Sequence, residues 1–196
     1  ATSATYTLVQ ADVGALIRVV ASYQDGQGTA ETSTSAATSA VANVNDAPTG
    51  SVTISGTPTE DQVLTAANTL ADEDVLGGIS YQWTRGGVNI DGATSATYTL
   101  VQADVGALIR VVASYQDGQG TNETSTSAAT SAVANLNDAP TGSVTISGTP
   151  TEDQVLTASN NLADEDVLGT IGYQWTRGGA DIIGATSGTY TLSLIH

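Results

Sequence analysis

Apolar and polar residues alternate along short runs of this chain, the period-two pattern of half-buried β-strands. Val52 and Ile54 alternate with Ser51, Thr53 and Ser55, and the run stops at Gly56. Val63-Leu64-Thr65-Ala66 follows a turn at Pro58. A polar loop with Asp72-Glu73-Asp74 leads into Ile79-Ser80-Tyr81-Gln82-Trp83, where Ile79, Tyr81 and Trp83 share a face. Gly86-Gly87 suits a primed hairpin turn, after which Val88–Ile90 returns. Thr97–Leu100 precedes a corner at Gln102–Gly106. Leu108–Tyr115 is the strongest strand, with Ile109, Val111 and Ala113 on one face. Asp117-Gly118 marks a tight turn, and Thr121–Asn135 reads as one long, bent final strand.

The runs repeat. Ala1–Leu8 recurs at Ala93–Leu100 and, with Gly188 for Ala4, at Ala185–Leu192; Asn45–Gly50 recurs at Asn137–Gly142, so the period is 92 residues. Residues 1–44 differ from 93–136 only at Ala30/Asn122 and Val44/Leu136. A period of this length fits one small domain per repeat rather than a solenoid unit. The chain therefore reads as a window on a tandem array. Residues 1–44 are the second half of a unit, 45–136 a complete unit and 137–196 the first half of another. The copy breaks after Leu192. Leu-Ser-Leu-Ile-His resembles the translation of a transposon-derived sequencing adaptor, so 193–196 read as a tail foreign to the repeat.

Composition narrows the chemistry. Ser and Thr make up a quarter of the chain, Gly contributes 21 residues, and Cys, Met and Phe are absent. The fold class expected is all-β, without disulfides. The only His is His196, so no His-dependent triad is available. Four Arg stand against 20 acids, giving a net charge of −16. That balance disfavours nucleic acid and anionic membrane surfaces, and no apolar run reaches the length of a spanning helix.

The run Tyr81-Gln82-Trp83 looks like the strand that carries the core Trp of an immunoglobulin domain. The stretch Tyr98-Thr99-Leu100 followed by Asp104-Val105-Gly106 looks like the approach to its sixth strand. Val111 or a neighbour stands where the inter-sheet Cys would be. The expected architecture is a tandem array of immunoglobulin-like β-sandwich domains. At the unit boundary, Val41–Pro48 and its copy Val133–Pro140 contain Asn-Asp-Ala-Pro. The whole pattern resembles the immunoglobulin-like and cadherin-like repeats of very large secreted bacterial proteins, including VCBS-type and RTX adhesins. The junction also resembles the cadherin linker. It departs from it in having Asn43 and Asn135 at the first Asp position, and Ala47 and Ala139 directly after the Asp.

That resemblance implies calcium between units, and calcium takes six to eight oxygen ligands. Alternate loops of a sandwich lie at opposite poles, so end-to-end stacking gathers acids at each boundary. The first boundary would gather Asp12, Asn43, Asn45, Asp46, Asp72 and Asp74. The second would gather Asp104, Asn135, Asn137, Asp138, Asp164 and Asp166, which Glu60 and Asp61 could join. The bland reading is solvated loop charge, with Asp104 capping its own corner. Trp83 and Trp175 read as core, and the Arg residues as makers of weak surface ion pairs.

The function expected is a non-enzymatic one. These would be structural spacer repeats of a secreted or cell-surface bacterial adhesin, stiffened by calcium and partnered by neighbouring repeats. Accessory modules of a secreted hydrolase, or repeats that bind carbohydrate or protein, are the alternatives. The two incomplete end units are complementary, so the chain itself is expected to associate head to tail.

Overall fold

The structure is a computed structural model that describes residues 3–193; the proposed tail thus lies almost wholly outside the described residues. Among the described residues the chain is all-β, with antiparallel sheets and two single-turn 3₁₀ segments, Gln10–Asp12 and Gln102–Asp104. No helix among the described residues is long and apolar enough to cross a membrane.

Residues 3–44 contribute a single hairpin, β1 (Val20–Gln24) with β2 (Ala30–Thr34). The central unit contributes β3 (Val52–Ser55), β4 (Val63–Asn68), β5 (Ser80–Arg85), β6 (Val88–Asn89), β7 (Thr97–Thr99), β8 (Ile109–Gln116) and β9 (Asn122–Thr126). One sheet has the order β3-β4-β7 and the other β6-β5-β8-β9. The last part holds β10 (Val144–Ser147), β11 (Val155–Asn160), β12 (Thr176–Arg177), β13 (Ala180–Asp181) and β14 (Thr189–Thr191). There the order β10-β11-β14 repeats β3-β4-β7, and β12-β13 repeats the β5-β6 hairpin.

The central unit packs like a sandwich. Its core draws Val52 and Leu64 from one sheet and Trp83, Ile109, Val111 and Ala113 from the other. Trp83, Leu64, Leu100, Ile109 and Val111 have no exposed surface. Trp83 is fixed twice: its indole Nε1 donates to Ser95 O at 2.8 Å, and its ring lies 5.8 Å from that of Tyr98. Burial along β8 alternates as its sequence predicts, because residues two apart share a face. Gly86 and Gly87 both have positive φ, +55° and +87°, as the expected primed turn demands.

The expected final strand, Thr121–Asn135, is not one strand. Only Asn122–Thr126 pairs regularly, with β8. Beyond it, Ser127 N and Thr130 N still donate to Val111 O and Ile109 O, but side chains take the return bonds. Ser127 Oγ accepts from Val111 N at 3.0 Å and donates to Ala128 O, and Thr130 Oγ1 accepts from Ile109 N. A Ser/Thr-rich segment offers the neighbouring strand this alternative, and the strand assignment ends there.

The end parts show what sheet partners contribute. Tyr173-Gln174-Trp175 repeats the β5 sequence, yet none of the three is in a strand. In the central unit these positions pair with β8, and 137–193 contain no copy of β8. Likewise β1 begins at Val20, whereas β8 already begins at Ile109, the equivalent of Ile17.

Candidate metal centre at the boundary between repeats

Two boundaries flank the central unit, at its two opposite ends. The first is formed by the Asp72-Glu73-Asp74 loop. Asp74 is fully buried. Its Oδ2 accepts from Asp46 N at 2.9 Å, and its Oδ1 accepts from Gln10 Nε2 of the preceding unit at 2.8 Å. The loop is held from within, since Asp72 Oδ1 accepts from Asp74 N and Asp72 Oδ2 from the Tyr115 hydroxyl. That buried phenol, facing Asp72, is pushed well above its ordinary range, by burial first and the Asp72 bond second. Asn45 Nδ2 reaches Glu123 at 2.9 Å. Asn43 lies half-buried, with a buried Oδ1 that accepts nothing.

The second boundary repeats this arrangement and adds to it. Asp166 Oδ2 accepts from Asp138 N at 2.8 Å, and its Oδ1 from Asn135 Nδ2 at 2.7 Å. Asp164 Oδ1 accepts from Asp166 N, and Asn137 Nδ2 donates to Asp138 O. The addition is Glu60 of the central unit, almost fully buried in the Thr59–Gln62 turn. Glu60 N donates to Ala134 O, and Leu136 N donates to Glu60 Oε2 at 3.3 Å. With its amide nitrogen turned toward the carboxylate, Gln102 donates to both Glu60 oxygens, at 2.6 and 2.8 Å.

Glu60, Asp138 and Asp166 each place one carboxylate oxygen within 4.8 Å of the other two. They come from one unit, the linker and the next unit. Like charges this close oppose each other's ionisation. Glu60 is held above the usual carboxylate range, chiefly by burial and then by Asp138, Asp61 and Asp166. Asp138 is also raised, by burial first and then by Asp61, Asp166 and Asp164. Asp166 is lowered, because Asp138 N and Asn135 Nδ2 both donate to it. All three donors are hard oxygens, a set suited to calcium or magnesium rather than to zinc or copper. Asn135 Nδ2 and Leu136 N donate to Asp166 and Glu60 beside the cluster.

The sequence-based grouping is thus redistributed. Asp138 and Asp166 meet, with Asp164 holding the Asp166 loop and Asn135 and Asn137 bracing the linker. Glu60, named only as a joiner, becomes the deepest member of the cluster. Asp104 is committed elsewhere: Arg85 Nε donates to its Oδ1 at 2.6 Å, and the Tyr98 hydroxyl and Val101 N donate to its Oδ2. The expectation of a weak surface pair for Arg85 is corrected here, because this carboxylate has no exposed surface. Asp12, the copy of Asp104, is occupied in the same way by Tyr6 and Val9 N.

Gln10 and Gln102 occupy the same place in the repeat but reach different acids, Asp74 and Glu60 respectively. Comparison of the chain with models of known protein families, with curated proteins and with solved structures finds no match.

Proposed function

We propose that the chain is a segment of a spacer, a stalk of immunoglobulin-like repeats from a large secreted or cell-surface bacterial adhesin. In this reading calcium locks successive repeats together. The observation that carries it is the cluster of Glu60, Asp138 and Asp166, which draws carboxylates from one unit, the linker and the next unit. Such a site couples cation binding to the angle between units, which is what a stalk requires. The three- and four-stranded sheets around a central Trp support the immunoglobulin-like assignment. Near-identity of the repeats supports a mechanical role, because the array can change length without new design.

The test is a calcium titration of the chain, read by thermal melting and small-angle scattering, with magnesium as a control. Calcium that binds only the folded state adds about 2.7 kcal/mol of stability at a hundredfold excess over its dissociation constant. It also stiffens the particle. Glu60→Gln removes both effects. A melting temperature and scattering profile indifferent to calcium would leave a flexible spacer and solvated acids.

A further inference from the structure

We propose that Val133–Ala134, the last two residues of the central unit before the linker, form a mechanical clamp that tension along the stalk loads in shear. The proposal rests on the spacer reading and does not depend on calcium.

The two residues are gripped on both sides. On one side Thr59 pairs with Ala134 in parallel: Ala134 N donates to Pro58 O and Glu60 N to Ala134 O, both at 2.9 Å. On the other side Gly106 N donates to Val133 O at 2.9 Å, and Val133 N donates to Ala107 O at 3.0 Å. This second grip recurs in residues 3–44, where Gly14 N donates to Val41 O and Val41 N to Ala15 O, each at 2.9 Å. Val133 also belongs to the buried cluster that holds Trp83 and Leu100.

Neither grip is free to follow the segment it holds. The Thr59–Gln62 turn is tied to the end of β7, since Asp61 N donates to Leu100 O at 3.1 Å and Leu100 N to Gln62 O at 3.0 Å. The Val105–Ala107 corner is tied to Asp104, whose backbone oxygen accepts from Ala107 N at 2.9 Å. The carboxylate of Asp104 is in turn held by Arg85 and Tyr98.

Connectivity sets the direction of the load. Pro58–Glu60 leads back through β3 to the linker at Asp46, and Ala134 leads forward to the linker at Asn135. A pull on the two linkers therefore draws two parallel, paired segments in opposite senses along their length. Ladder hydrogen bonds run across the strands, so this pull strains the bonds of the clamp together instead of opening them in turn. The pull on β3 also runs along a strand: Thr49 N donates to Ala71 O at 2.8 Å and accepts the return bond at 3.1 Å, and β3 lies antiparallel to β4. A few backbone bonds contribute little net equilibrium stability. Forced unfolding is governed by the unfolding rate, and that is where bonds strained together act.

Single-molecule pulling in chelator tests the clamp. The chain has no Cys, so an introduced pair chooses the direction of the load. Handles on Asn45→Cys and Asn137→Cys load the central unit along the stalk. Handles on Gln62→Cys and Asn137→Cys, both just past the clamp, peel Ala134 away from Thr59 one bond at a time. All three positions are exposed. The axial unfolding force is expected to exceed the peeling force. Ala134→Pro removes the donor to Pro58 O and is expected to lower the axial force toward the peeling force. The comparison of directions alters no clamp residue, so it decides alone if Ala134→Pro does not fold. Equal forces in the two directions, or an axial force unchanged in a folded Ala134→Pro unit, overturn the proposal. Calcium is absent from both readings, so the clamp and the calcium-locked boundary stand or fall separately.

Discussion

Arg85 places its Nε 2.6 Å from Oδ1 of Asp104, a carboxylate with no exposed surface. The Tyr98 hydroxyl and Val101 N complete the set, so every lone pair used is answered by a donor. Arg85 keeps one side in water, with a third of its side chain exposed. The group ties β5, β7 and the 3₁₀ corner together, all three being parts that must meet for the sheets to close. Removing one member of such a buried set leaves the others desolvated and unpaired. Arg85→Ala is expected to cost about 3 kcal/mol, and Tyr98→Phe about 1 kcal/mol. Urea denaturation followed by Trp fluorescence measures both. Equal costs would show that the charge of Arg85 contributes nothing beyond a hydrogen bond.

The acid cluster predicts an unusual pH response. Glu60 and Asp138 have raised folded-state values, so their contribution to stability is fully present below the ordinary carboxylate range. It is lost as pH rises through those raised values. Asp166 works oppositely, and its contribution is lost in stronger acid. In chelator the boundary is therefore expected to be tighter at about pH 5 than at about pH 7.5, then to weaken in stronger acid. A melting temperature that falls steadily from neutral pH downward would contradict this.

Calcium is expected to reverse that trend. Protons and the cation compete for the same carboxylates. The gain in melting temperature on adding calcium should be larger at about pH 7.5 than at about pH 5. Glu60→Gln should lose the gain, and in chelator at about pH 7.5 it should melt above the parent chain, since it removes the repulsion with Asp138 and Asp166.

Val75 follows Asp74 with φ +74°, and its copy Val167 has φ +73°. A β-branched residue is strained there, and the strain recurs in both copies of the acidic loop. Val75 is exposed, so its side chain gains little from packing. Val75→Gly is expected to stabilise the central unit by about 1 kcal/mol in urea denaturation. A loss of stability would mean that the valine has a packing role.

Ser127 and Ser35 are copies in different surroundings. Ser127 is 2% exposed and satisfies Val111 N, while Ser35 satisfies Val19 N in a solvated setting. Ser127→Ala leaves a buried N–H without a partner and is expected to cost about 2 kcal/mol. Ser35→Ala leaves an N–H that water reaches and should cost less than about 0.5 kcal/mol. Comparable losses would show that water does not replace the Ser35 hydroxyl on Val19 N.

Local pattern alone located most of this molecule. The alternation in β8 and the Gly86-Gly87 turn were legible because each depends on neighbours within a few residues, and the 92-residue repeat because it needs only the chain compared with itself. The end of β9 was not legible. Ser127 and Thr130 each keep one backbone bond to β8 and answer the other with a hydroxyl, a choice that depends on how close β8 lies and that composition does not encode. The boundary acids divided in the same way. Their gathering near the linker followed from loop order, but their partners did not. Asp104 and Glu60 lie toward the same end of the unit, and only packing decided that Arg85 reaches the first while Gln102 reaches the second. A carboxylate becomes a candidate ligand or a structural pair according to which donor arrives beside it. That choice is made in three dimensions, between residues far apart in the chain.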